Sequence, residues 1–127
     1  MTHTGPVRRW DLFWTNLEPG IGSEQKGVRR PVIVISNDGF NAAFPVVTVI
    51  SATKAEGKRR SAYAFEVLLP KGSITPRHAS IVMPHQLRTI SKLRLLTRIG
   101  RLPAEFRGRI ELRLLEHLGI AFEEESV

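Results

Sequence analysis

Residues 22–41, GSEQKGVRRPVIVISNDGFN, carry the decisive reading of this chain. Val32, Ile33, Val34 and Ile35 form a β-branched run that reads as a buried strand. Arg29 and Arg30 stand directly before Pro31 at its entrance, after a flexible charged turn. Ser36, Asn37 and Asp38 close the strand with helix-capping residues, and a short helical turn follows through Phe40 and Phe44 to Pro45. Two arginines on a loop anchored by a rigid strand form a cationic fork of the kind that takes phosphate.

Before this stretch, residues 7–14 read as a first strand, with Trp10, Leu12 and Trp14 on one face and Asp11 and Phe13 on the other. Glu18-Pro19-Gly20 marks a turn. After it, residues 46–51 read as a third strand and residues 62–69 as a fourth, in which Tyr63, Phe65, Val67 and Leu69 alternate. Residues 80–83, 86–90 and 96–101 read as further short strands, with a single helical turn at 91–93. Pro103 suits the first position of a helix whose Phe106, Ile110, Leu114 and Leu118 recur every four residues, and Gly119 ends it. Glu123, Glu124 and Glu125 are expected to form a mobile acidic tail. Short strands joined by turns, with one late helix, predict a mainly β domain built as a small, strongly bent antiparallel sheet or barrel. One domain over residues 1–127 is expected, with 1–6 and 120–127 as flexible ends.

The chain has 127 residues, 42% of them hydrophobic, which suits a single packed core. Its charge is unusual: +7 net. Residues 1–101 carry 16 Lys/Arg against 6 Asp/Glu, and residues 102–127 carry 3 against 6. A basic body points to a polyanionic partner. With no cysteine, disulfides, thiol chemistry and cysteine zinc sites are excluded. No apolar run approaches the ~20 residues of a membrane helix, and residues 1–6 lack the apolar core of a signal peptide, so a cytoplasmic protein away from membranes is expected.

No phosphate-binding glycine loop, zinc-protease helix or nucleophile elbow occurs. His3, His78, His85 and His117 are too scattered to point to a metal site. His3 is expected in a frayed end and His117 on the surface of the last helix, while His85 sits beside Gln86 at a strand junction.

Several pieces, in order, resemble the MazF/PemK family of toxin endoribonucleases. The loop GSEQKG, the arginine–proline junction and VIVISN come first. Then follow PVVTVISAT at 45–53, Phe65-Glu66-Val67, and QLRTISK at 86–92. The resemblance runs from about residue 9 to residue 119. It implies an SH3-like small barrel of the CcdB/PemK/MazF type with a C-terminal helix, working as a homodimer. It also implies a toxin that cuts single-stranded RNA, commonly mRNA, without metal or cofactor, held inactive by a cognate antitoxin. The alternatives are a CcdB-like protein that poisons a protein target without catalysis, and an inactive RNA-binding module.

Carried over residue by residue, the resemblance makes Arg30 the family's arginine. The segment between Glu24 and Pro31 is one residue longer than the common pattern, which keeps Arg29 as a rival. The family's threonine falls on Thr53, with Ser51 the fallback two residues away. Glu24 is the third candidate for the catalytic set, with His85 as a further possible base. Gln25, Lys26, Arg29, Lys54, Lys58, Arg59, Arg60 and Gln86 are expected to contact RNA. Arginine suits stabilisation of a phosphorane better than proton transfer, because its planar fork stays charged at neutral pH.

Overall fold

The computed structural model describes residues 2–121. The chain forms β1 (Asp11–Thr15), β2 (Arg30–Val34), α1 (Asp38–Ala43), β3 (Val46–Lys54), β4 (Val67–Leu69), β5 (Ser80–Ser91), β6 (Leu95–Arg101) and α2 (Arg107–His117). Every pairing is antiparallel, in one six-stranded sheet ordered β4-β5-β3-β2-β1-β6.

Strand alternation divides the buried residues between two cores. Ile33, Ile50, Ala52, Leu12 and Val82 join one core, which α2 covers with Ile110 and Leu114. Val32, Val34, Val47, Val49 and Phe13 join the other, which Val7 and Leu17 help to close. The VIVI run is therefore apolar throughout because its strand is interior on both faces. The sheet curls around the first core, to which β1 through β5 all contribute. This is the mainly β fold with a terminal helix that the sequence predicts.

The local signals around β2 hold. Asn37 caps α1 by accepting from the Phe40 N–H at 2.8 Å. Ser91 caps a 3-10 turn at Lys92–Arg94 in the same way, one residue later than expected. Gly119, at φ +68, ends α2 in the left-handed region.

Five readings are corrected. The first strand begins only at Asp11, because Trp10 takes a φ of +75 and interrupts the extended backbone. The expected strand at 62–69 shrinks to Val67–Leu69. Residues 62–66 instead wrap around the buried Glu66 carboxylate, which accepts from the Tyr63 N–H at 3.0 Å. The segments 80–83 and 86–90 fuse into the single strand β5, and a register shift opposite Val49 and Ser51 accommodates Pro84. Pro103 precedes a 3-10 turn at Ala104–Phe106, and α2 starts after it with Leu118 exposed rather than buried. His3, expected in a frayed end, packs edge-on against Phe13 at 4.8 Å and donates its backbone N–H to Leu95 at 2.8 Å. Glu123–Glu125 lie outside the described residues.

Candidate active site

The site starts from strand register. β2 and β3 pair with Val32 opposite Ser51. The paired residues end at Val32 and Ser51, and two residues beyond them on each strand stand Arg30 and Thr53, which line one cavity. Thr15 of β1 lies opposite Arg30 on its other side. Residues directly opposite one another in a sheet share a face, so Thr15 and Arg30 share one.

The loop before β2 then aims the Arg30 side chain. Its Nε–H donates to the Lys26 carbonyl at 2.9 Å. It lies directly over Gly27, where an added Cβ would fall 2.8 Å from Nε, and Gly27 itself holds φ +130. Arg29, just before β2, lays its guanidinium carbon 4.6 Å from the centre of the Trp14 ring. Among the described residues, neither guanidinium pairs with a carboxylate.

Both arginines line one cavity of about 550 Å³, together with Trp14, Thr53, Lys54 and Arg59. A second cavity of about 410 Å³ contains Glu24, Gln25, Ser51, His85 and Gln86. Ser51 and Thr53 are two residues apart on the same face of β3, roughly 7 Å along the strand. The cavities therefore adjoin along β3. The expected catalytic residues divide between them, Arg30 and Thr53 in the first and Glu24, Ser51 and His85 in the second. Thr53 is half-buried whereas Ser51 is 3% exposed, which favours the threonine as a group that can reach a ligand.

Gln86 holds the rim in place. Its Oε1 accepts from the Gln25 N–H and its Nε2 donates to the Ser23 carbonyl, each at 3.0 Å. Glu24 stays exposed on this pinned loop, and its carboxylate accepts from the Ile21 N–H at 3.2 Å. Lys26, also exposed, donates to the Gly22 carbonyl at 3.2 Å.

His85 sits differently from the others. Its ring meets Phe65 edge-on at 4.8 Å, and its Nδ1 is enclosed with no hydrogen-bond partner among the described residues. Burial pushes its pKa down. Glu66 opposes that shift, while His117 and Arg59 add to it.

The basic loop after Thr53 divides in role. Lys54, Lys58 and Arg60 are exposed. Arg59 is committed to an internal pair, its Nη2 meeting both Glu66 oxygens at 2.8 and 2.7 Å. Of the four cations expected to contact RNA, Arg59 is thus the one that also holds the loop together. Sequence reasoning also missed Gly27 beneath Arg30, Trp14 beneath Arg29, and an exposed ring pair, Tyr63 and Phe65, stacked at 5.4 Å. The glycine had a signal, since it stands three residues before the arginine in a loop that must reverse sharply.

A family described as "PemK-like, MazF-like toxin of type II toxin-antitoxin system" matches residues 8–118. Endoribonuclease EndoA of Bacillus subtilis (strain 168) is 33% identical over 105 residues, covering 83% of this chain and 88% of that protein. Endoribonuclease MazF6 of Mycobacterium tuberculosis (strain H37Rv) is 31% identical over 105 residues, covering 83% of this chain and 90% of that protein. The solved structure of MazF (Form-I) from Deinococcus radiodurans superposes with a TM-score of 0.75 at 26% identity, over 92% of this chain and all of that one, 100%. An endoribonuclease in complex with its cognate antitoxin, from a mycobacterial species, matches with a TM-score of 0.71 at 17% identity, over 94% and 100% of the two chains, a likeness of fold.

Proposed function

The chain belongs to the PemK-like, MazF-like toxins of type II toxin–antitoxin systems, and on that premise we propose that this endoribonuclease cuts single-stranded RNA in the groove along β3. The observation that supports this most is the convergence of Arg30 and Thr53 on one cavity, whose lining also holds Arg29 and Lys54, with Arg59 already paired to Glu66.

The chemistry needs three things: a base for the ribose 2′-hydroxyl, stabilisation of the phosphorane, and a proton for the leaving oxygen. The 2′-oxygen attacks the adjacent phosphorus, the bond from phosphorus to O5′ breaks, and O5′ takes a proton. The products are a 2′,3′-cyclic phosphate and a 5′-hydroxyl end. Arg30 supplies fixed positive charge to the phosphorane, and the Thr53 hydroxyl donates to a non-bridging oxygen. Arg30 is assigned charge stabilisation, the role that a planar fork of donors fits. Glu24 is the better base candidate of the two, since it is exposed on the loop over the groove whereas His85 has one ring nitrogen enclosed.

The same field that draws a phosphate backbone draws an acidic peptide. We infer that a cognate antitoxin inhibits by laying an acidic segment along this groove, and that mRNA in the cytoplasm is the target. A homodimer is the proposed working form. No helix among the described residues is long and apolar enough to cross a membrane.

The test is incubation of the purified protein with single-stranded RNA in excess EDTA. Cleavage should persist, yield cyclic-phosphate ends, and stop when a 2′-O-methyl replaces the hydroxyl at the cut. Intact RNA, or cleavage that survives the methyl group, would defeat the mechanism.

A further inference from the structure

Tyr63 and Phe65 are aromatic side chains left exposed in this fold. They are 62% and 46% exposed, on the short segment between the basic loop and β4. Their rings lie 5.4 Å apart and within 18° of parallel, an offset stack. Each ring also touches a residue of a different cavity. Arg59, which lines the first, lies 5.0 Å from the Tyr63 ring, and His85, which lines the second, meets Phe65 at 4.8 Å. The ring pair therefore links a residue of one cavity to a residue of the other, and exposed Lys58 and Arg60 lie on the adjoining loop.

We propose that the Tyr63–Phe65 pair is a stacking platform for a nucleobase next to the cleaved phosphate, so that it positions RNA in the groove. The inference rests on the nuclease reading above and adds a residue-level device to it. Three properties make a base the occupant. Flat, solvent-exposed rings present a π surface that every base can use. Guanidinium and ammonium groups on the same segment supply the complementary charge for the phosphates on either side. The backbone is held in place by the buried Glu66 carboxylate, which takes both the Tyr63 N–H and the Arg59 side chain, so the rings need little ordering on binding. The competing account is that the rings only shield the Arg59–Glu66 pair from water, a task any bulky apolar side chain would perform.

The experiment uses the full chain and a single-stranded RNA carrying a 2′-O-methyl at the cut, with 2-aminopurine placed in turn at each flanking position. For wild type, one flanking position should lose fluorescence on binding, as a stacked base does. Tyr63→Ala should restore that fluorescence and weaken binding by roughly 5- to 150-fold, the range of one base–aromatic stack. On cleavable RNA, KM should rise by a similar factor with kcat within about twofold. Tyr63→Trp should retain wild-type binding, and Tyr63→Leu should behave like alanine. Binding restored by leucine would overturn the platform in favour of shielding. RNA affinity unchanged in Tyr63→Ala, with antitoxin affinity lost, would overturn it in favour of a protein contact. If wild type cleaves RNA yet no position responds, the platform alone fails; if wild type neither binds nor cleaves, it falls together with the nuclease reading.

Discussion

Arg30 concentrates the consequences at the scale of single residues. Replacing it by alanine should lower kcat by about 100-fold or more, the cost of removing a preorganised transition-state donor. Stability should fall by only about 1 kcal/mol, since the side chain is partly exposed and abandons one contact, to the Lys26 carbonyl, and no carboxylate. Arg29→Ala should act more mildly, on KM. If Arg29 proves essential and Arg30 dispensable, the arginine has been read one position off. Gly27→Ala tests the support beneath it. The φ of +130 and the 2.8 Å approach to Arg30 Nε predict a loss of ~1–3 kcal/mol in urea unfolding, together with a fall in kcat as the guanidinium is displaced. His85 supplies a pH signature. Its folded pKa lies below the ordinary 6.5, so the unfolded chain binds the proton more tightly. Stability is therefore full above about pH 6.5 and falls as pH drops through the folded value. Melting temperatures taken from pH 7.5 to pH 5 should show a smaller acid loss for His85→Gln than for wild type.

At the scale of elements, two connecting segments shape the groove, and each is held by one side chain. Gln86 reaches from β5 to the loop at residues 23–25, and Glu66 gathers Arg59 and the Tyr63 backbone. Glu66 is the more informative, because its side chain is 1% exposed while that of Arg59 is 33% exposed. A buried charge with a half-exposed partner is costly to leave unmatched on one side only. Glu66→Gln removes the charge but keeps an acceptor for the Tyr63 N–H. It should cost ~1–3 kcal/mol by urea unfolding, since Arg59 can recover water. Glu66→Ala removes the acceptor as well and should cost more. Equal losses for the two variants would mean that the backbone contact contributes nothing to the loop.

For the whole molecule, charge sets how RNA arrives. A net charge of +7, with Arg29, Arg30 and Lys54 inside the groove and Lys58 and Arg60 on the exposed loop beyond it, predicts binding driven by counterion release. With three to five phosphates neutralised, a plot of log affinity against log salt should fall with a slope of roughly −2 to −3.5 for single-stranded RNA. Titrations of an uncleavable RNA between low and physiological salt would measure it. A slope near zero would mean that the basic body does not meet the backbone, and that the net charge serves solubility alone.

The sequence by itself determined the elements whose causes are local. β2 is legible from its β-branched run, α1 from its Asn37 cap, and α2 from its four-residue period. The family resemblance brought Arg30 and Thr53 forward as partners without stating their geometry. Their meeting in one cavity depends on the pairing of β2 with β3, between residues some 20 positions apart, which no local signal encodes. Residues 62–66 mark the opposite failure. Their alternation imitates a strand, yet a buried Arg59–Glu66 pair outweighs β-propensity and turns two rings outward. Only the tertiary structure decided these points, because register and buried charge pairing are settled by partners distant in sequence, whereas caps and periodicity act within a few residues.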